Sequence, residues 1–168
     1  MPANDLFFLP GINIIFMRDD VMNICFSSYT CSINPVVMNT ISTSVTRGIK
    51  ISVECKFEPL YSRPNKAYYV FSYHITIENK SNVTVKLLRR HWHIFDTLAG
   101  WSDVEGEGVV SMQPVLYPGD EYQYDSFCPL GSEAGKMQGT YLMENIDDRS
   151  TFRVKIPVFQ LMAPYKTN

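Results

Sequence analysis

The chain has 168 residues and a formal net charge of −2, and it contains ten Tyr and ten Phe. A chain of this length is typically one domain that is large enough to bury a hydrophobic core, and abundant aromatic residues favour strands over helices. Because the net charge is small, we exclude a general electrostatic affinity for nucleic acid or for an acidic membrane surface, and we expect neither as a partner.

Residues 1–37 differ from the remainder of the chain, because they contain only one basic residue, Arg18, and no clean apolar periodicity. The apolar stretch at 6–17 is too short to span a bilayer, and it lacks the positively charged start and the cleavage signal of a secretory leader. Three interpretations of this N-terminal extension are open: a translated upstream region with the true start at Met38, a disordered or loosely packed extension, or a weak membrane-surface anchor. The predicted domain is therefore 38–168.

Short strands are predicted from Arg47 onward, because apolar and polar residues alternate there with period two, as they do in half-buried strands. Turn-forming residues at 79–82 separate two of these runs, which we interpret as the two strands of a hairpin. No helical period of useful length is present. The predicted strands cover residues 48–55, 69–78, 83–96, 108–115, 121–128, 139–144 and 151–160.

About seven short strands with regular turn signals predict an all-β fold, an immunoglobulin-like antiparallel β-sandwich. The Cys–Trp–Cys spacing of true immunoglobulin domains is absent, so a fibronectin type III-like sandwich is favoured. The four cysteines show neither a CxxC pattern nor a metal-binding spacing. We expect free, mostly buried thiols in a reducing compartment, which indicates the cytoplasm. The four are Cys25, Cys31, Cys55 and Cys128.

Gly106 and Gly108 invite comparison with a phosphate-binding loop. A dinucleotide fingerprint would need a third glycine at the position of Ser111, a strand before the loop and a helix after it. The chain instead continues into a predicted strand, and Glu105 and Glu107 would repel a phosphate group. We therefore interpret the segment as a tight bend that uses the backbone freedom of glycine.

His91 and His93 alternate on a predicted strand and therefore point to the same face, and His74 is expected on the neighbouring strand. Three imidazoles can bind a transition metal, although a His-x-His pattern alone has little specificity. The alternative is a polar, solvent-facing stripe, with Trp92 and Ile94 turned into the core.

Arg89 and Arg90 form a basic cluster that can hold a phosphate or a carboxylate-bearing partner. Trp101 follows a glycine in a predicted loop, where it either plugs one end of the sandwich or serves as a recognition anchor. Together with Gly106 and Gly108, these residues form the candidate binding surface. No nucleophile elbow and no catalytic cysteine signature is present, so we predict no catalytic residues, no cofactor and no enzymatic activity.

A set of ordered segments resembles the ApaG family, including Leu-Leu-Arg-Arg-His-Trp at 87–92 and Pro-Val-Leu-Tyr-Pro-Gly at 114–119. The resemblance covers about residues 41–164 and implies a fibronectin type III-like or immunoglobulin-like sandwich. Similar domains occur in eukaryotic F-box proteins and in a polymerase-interacting protein, which implies protein binding. The bacterial stand-alone form is linked with cobalt resistance and magnesium efflux, and the family offers no accepted catalytic residues. The chain departs from the family in residues 1–37 and at Ser111, where the family often has glycine.

Three hypotheses follow from the sequence. The first is a cytoplasmic, non-enzymatic binding module for an unidentified protein partner, in which an exposed edge strand would also permit a homodimer. The second is a small-anion (phosphate or pyrophosphate) or divalent-metal binding protein in cation homeostasis, in which Arg89, Arg90, His91 and His93 bind the ligand. The third, a hydrolase of phosphate esters or dinucleotides, lacks a metal–carboxylate cluster that would activate water.

Overall fold

The protein is represented by a computed structural model, which describes residues 41–164. The interpretations of residues 1–37 therefore concern a segment outside the described residues. No helix within 41–164 is long and apolar enough to cross a membrane. The described part contains one 3-10 helix at Pro64–Lys66 and nine strands: β1 Ser42–Thr46, β2 Ile49–Phe57, β3 Tyr69–Asn79, β4 Val85–Asp96, β5 Gly100–Glu107, β6 Val115–Leu116, β7 Glu121–Leu130, β8 Ala134–Asn145 and β9 Thr151–Met162.

The strands form two antiparallel sheets that pack face to face. One sheet has four strands in the order β1-β2-β3-β7, and the other has five, in the order β5-β4-β8-β9 with β6 paired to β4. The predicted all-β, fibronectin type III-like sandwich is therefore confirmed. It contains nine described strands rather than about seven.

The core lies between the sheets because the period-two pattern places one face of each strand inward. On β3, Phe71, Ile75 and Ile77 are fully buried and Tyr73 is only 6% exposed. From the facing sheet, the Trp92 ring packs edge-on against Tyr73, with ring centres 5.6 Å apart. Each large apolar side chain that is fully buried contributes about 1.5–3 kcal/mol to the free energy of unfolding.

The predicted hairpin between residues 69–78 and 83–96 is wrong, because β3 and β4 lie in different sheets. The connection at 79–82 crosses from one sheet to the other and is held by Asn79, whose side chain is fully buried. Its amide nitrogen donates to the carbonyls of Val83 and Leu116, and its side-chain oxygen accepts from the Ser81 N–H. A hairpin turn and a crossover use the same polar residues, so local sequence does not distinguish them.

The predicted strand at 108–115 is also wrong. The chain turns instead, with positive φ at Gly108 (56°), Val110 (47°) and Ser111 (60°), and only Val115–Leu116 is extended. The other predicted strands are present and mostly longer than expected. The described strands that were not predicted are β1 and β5, together with the short β6.

The two sides of the sandwich are built differently. On one side the edge strands β1 and β9 are joined, since Ser44 Oγ donates to the Lys155 carbonyl at 2.5 Å and the Lys155 N–H donates to Thr46 Oγ1 at 3.2 Å. On the other side the edge strands are β5 and β7. An edge strand presents backbone groups on one flank that its own sheet does not pair.

Candidate functional site

Most of the predicted site residues lie on two paired strands, β4 and β5. The antiparallel register runs without a break from Arg89 opposite Glu107 to Asp96 opposite Gly100. Alternate residues of β4 face outward, whereas Trp92 is 3% exposed and turned into the core, as the sequence predicts. We call the outward face the outer ladder, which consists of the cross-strand pairs Arg89–Glu107, His91–Glu105, His93–Asp103 and Phe95–Trp101.

His91 and His93 lie side by side on the outer ladder, with ring centres 4.3 Å apart. Asp103 Oδ1 contacts His93 Nδ1 and lies 3.5 Å from His91 Nε2. One potential ligand atom from each of these three residues lies within 4.8 Å of the others. Their side chains are 25%, 41% and 61% exposed for His91, His93 and Asp103, so solvent reaches the cluster.

His74 is not part of this cluster. The expectation that it lies on the neighbouring strand is wrong, because β3 belongs to the other sheet. Its Nδ1 is 2.9 Å from Asp125 Oδ1, on the adjacent strand β7. The structure therefore replaces the predicted set of three imidazoles with two imidazoles and a carboxylate, Asp103, which could not be found from the spacing of histidines.

Arg89 and Arg90 do not form the predicted basic cluster, because they point to opposite faces of β4. Arg89 faces outward, and its Nη2 lies 3.7 Å from Glu105 Oε2. Arg90 is half-buried at the rim of the core, where its Nη1 donates to the carbonyls of Glu107 at 3.0 Å and Gly108 at 2.9 Å. The Arg90 guanidinium is thus engaged with the backbone where β5 ends.

The tight bend predicted for the glycine segment begins at Gly108, whereas Gly106 lies within β5. Gly108 has a φ of +56°, and a Cβ atom there would lie 2.0 Å from the Met112 carbonyl oxygen. Gly106 provides room for a neighbour, because a Cβ atom on it would lie 2.9 Å from Cζ of Arg90. The bend leads to β6 rather than to a helix, so the geometry of a helix-based phosphate site is not present here.

Trp101 lies within β5 and not in a loop, and it does not plug an end of the sandwich. Its side chain faces outward and is 55% exposed. Its ring packs against Phe95, with centres 5.1 Å apart, and the Lys136 Nζ lies 5.2 Å from the ring centre. Trp101 is therefore an exposed aromatic side chain held on a strand, next to a cation.

Asp96, the last residue of β4, is a buried charged residue whose role the sequence did not indicate. Burial would raise its pKa, but hydrogen bonds from the Ser132 hydroxyl and from the N–H groups of Leu98, Gly131 and Ala99 outweigh that effect and lower the pKa. The bond from Gly131 is 2.6 Å long and that from Leu98 is 2.8 Å. Asp96 thus joins the turn after β4 to the turn after β7.

Cys55 and Cys128 are free thiols that are partly and fully buried, respectively, as predicted. Burial raises the pKa of each thiol to about 12. Because the thiolate is the nucleophilic form, neither cysteine is suited to nucleophilic catalysis. Cys25 and Cys31 lie outside the described residues.

Comparisons with known proteins agree with this architecture. The ApaG domain model matches residues 59–145. Protein ApaG of Brucella abortus (strain S19) is 44% identical over 122 residues, which cover 73% of this chain and 93% of that protein. A Bordetella pertussis protein named ApaA, known from a crystal structure, is 36% identical with a TM-score of 0.67, over 71% of this chain and 95% of that one. The chain therefore belongs to the ApaG domain family.

Proposed function

We propose that this chain is a non-enzymatic protein-binding module that contacts its partner through the Trp101 end of the outer ladder. The observation that supports the proposal is the 55% exposure of Trp101 on a strand at the edge of its sheet. Tryptophan is the residue most enriched among those that dominate binding energy at protein interfaces. Packing against Phe95 holds the ring in place, so little conformational entropy remains to be lost on binding.

The edge position of β5 adds a second means of contact. The flank of β5 that pairs with no strand within residues 41–164 can accept an extended segment of a partner, which would contribute main-chain hydrogen bonds while Trp101 supplies apolar contact. A second copy of the chain can pair in the same way, so a homodimer is part of the proposal. We also propose a cytoplasmic location, in agreement with the free thiols of Cys55 and Cys128.

The test is affinity capture with the tagged full-length chain and with Trp101→Ala. The matched control is Tyr117→Ala, which removes another aromatic side chain, 62% exposed, that is not on the outer ladder. We expect one protein to be retained by the wild type and by Tyr117→Ala but lost with Trp101→Ala, while Tm falls by about 4 °C or less. Equal retention by all three chains would contradict the proposal.

The second candidate function is ligand binding in cation homeostasis, with either a small anion or a divalent cation as the ligand. The geometry favours the cation. Arg90 already donates to two backbone carbonyls, and Arg89 lies beside the carboxylate of Glu105. Both guanidinium groups would therefore have to exchange an existing partner for an anion. In contrast, His91 and His93 converge on the carboxylate of Asp103.

A further inference from the structure

We propose that His91, His93 and Asp103 form a binding site for one divalent transition-metal ion of the Zn²⁺, Co²⁺ and Ni²⁺ class. The proposal rests on the cation-binding candidate function and deepens it by naming the ligands and the class of ion. It does not depend on the protein-binding function, which uses the Trp101 end of the same ladder.

The distances within the cluster suit one ion. In a tetrahedral site with Zn–N bonds of about 2.0–2.1 Å, neighbouring ligand atoms are about 3.3 Å apart. His91 Nε2 and Asp103 Oδ1 are already 3.5 Å apart, and all three ligand atoms lie within 4.8 Å of one another. Small rotations of side chains that are partly exposed would bring the three atoms around a single ion.

The backbone holds the ligands on a regular frame. His91 and His93 are two residues apart on β4, and Asp103 is the cross-strand partner of His93 on β5. The β4–β5 register is unbroken through this region, and β4 also pairs with β8 on its other flank. Sites built on paired strands keep their ligand geometry better than sites on loops.

Glu105 lies near His91, in a position from which a carboxylate can orient a metal-bound histidine. His91 places Nε2 toward Asp103 and Nδ1 toward Glu105 Oε1, at 3.7 Å. A carboxylate that accepts a hydrogen bond from the second ring nitrogen favours the tautomer whose other nitrogen is free to bind a metal, and a small rotation of the Glu105 side chain would bring it to that distance. Arg89 lies 3.7 Å from Glu105 and offsets part of its negative charge. The carboxylate of Asp103 is the one that would bind the ion directly.

The ligand types determine the class of ion. Imidazole nitrogens suit Zn²⁺, Co²⁺ and Ni²⁺, whereas Mg²⁺ and Ca²⁺ prefer sites made of oxygen ligands. With three protein ligands and solvent access, one or more coordination positions would be filled by water. The site is therefore expected to discriminate against Mg²⁺.

His74 and Asp125 provide a matched control within the same chain. They form a histidine–carboxylate pair at 2.9 Å on the opposite sheet, and they are not among the residues that group as a potential metal site in the described part of the chain. If one surface histidine beside a carboxylate were sufficient to bind the ion, His74 and Asp125 would bind it with an affinity similar to that of the proposed site.

The experiment uses the full-length chain without an affinity tag and with Cys25→Ser and Cys31→Ser, because these two thiols lie outside the described residues and thiols bind the same ions. Zn²⁺ and Mg²⁺ are titrated separately while imidazole proton signals are followed by NMR and heat by calorimetry. The whole chain has three histidines, so three His→Ala variants assign every imidazole signal.

We expect one Zn²⁺ per chain, shifts of the His91 and His93 signals, an unchanged His74 signal and no response to Mg²⁺. His93→Ala and Asp103→Asn should weaken Zn²⁺ binding more than about tenfold, with a smaller effect of Glu105→Gln and none of His74→Ala. No Zn²⁺ binding by the parent chain would overturn both this site and the cation-binding function. Binding that survives His93→Ala and Asp103→Asn would overturn the site alone.

Discussion

The inner and outer faces of β4 differ in what surrounds their side chains. On the inner face, Trp92 packs edge-on against Tyr141 and Phe159, with ring centres 6.3 Å and 6.0 Å away, and the side chains stabilise the fold. On the outer face, His91 and His93 are partly exposed and lie beside carboxylates of β5. Neighbouring residues of one strand thus have opposite roles, and parity along the strand, rather than residue type, separates them.

The largest expected difference between the faces is in stability. Trp92→Ala removes a 3% exposed aromatic side chain and should lower the free energy of unfolding by about 3–5 kcal/mol. The outer-face control His93→Ala, one residue away, should change it by about 0.5 kcal/mol or less. Urea unfolding followed by circular dichroism measures both. Similar losses in the two variants would show that the faces do not differ as described.

Asp96 is the next test, because it is a charged residue on the inner face and only 7% exposed. Asp96→Asn should lower the free energy of unfolding at pH 7 by about 1–3 kcal/mol, since hydrogen bonds from several backbone N–H groups to a charged acceptor are weakened. Asp103→Asn is the outer-face control and should change stability little, because its carboxylate is 61% exposed.

The effect of Asp96 should also depend on pH. The folded state lowers its pKa below the ordinary value of 3.8, so the unfolded chain takes up the proton first. The stabilisation is therefore present above that value and is lost as the pH falls through the lower, folded-state pKa. Unfolding curves at pH 7 and at pH 3 should show a smaller difference between wild type and Asp96→Asn at the lower pH. A difference that is unchanged would argue against an ionised, hydrogen-bonded Asp96.

Much of the fold could be predicted because most strands alternate apolar and polar residues. The exceptions have physical reasons. β5 has one buried apolar residue, Val104, and the other positions of the same parity hold the small residues Gly100, Ser102 and Gly106. β1 turns its only apolar residue, Val45, outward, where it is 63% exposed. Neither strand shows the alternation that sequence analysis detects.

The candidate site was only half predictable for a related reason. Parity on β4 correctly placed His91 and His93 on one face. Asp103 was missed because β5 was not predicted, and His74 was wrongly included because strand pairing is a long-range property. Local patterns report which way a side chain points, but the partner strand is chosen by packing of the whole sandwich.

The two adjacent arginines allow the finest comparison of the faces. Arg90→Ala leaves two backbone carbonyls without their donor and should lower the free energy of unfolding by about 1–2 kcal/mol. Arg89→Ala breaks one exposed ion pair of 3.7 Å and should have an effect of about 0.5 kcal/mol or less. Chemical unfolding of both variants measures the contrast, and equal effects would contradict the placement of Arg90 at the rim of the core.

Gly106 tests the same placement independently, because a Cβ atom there would lie 2.9 Å from the Arg90 guanidinium carbon. Gly106→Ala alone should therefore destabilise the protein by displacing Arg90 from its two carbonyls. In the Arg90→Ala background the three guanidinium atoms nearest to the added methyl group are absent, so the same substitution should have a smaller effect. The double-mutant cycle should give a coupling of about 0.5–1 kcal/mol. Additive effects would mean that Arg90 does not lie over Gly106, and that the two faces of β4 are less distinct at this end of the strand.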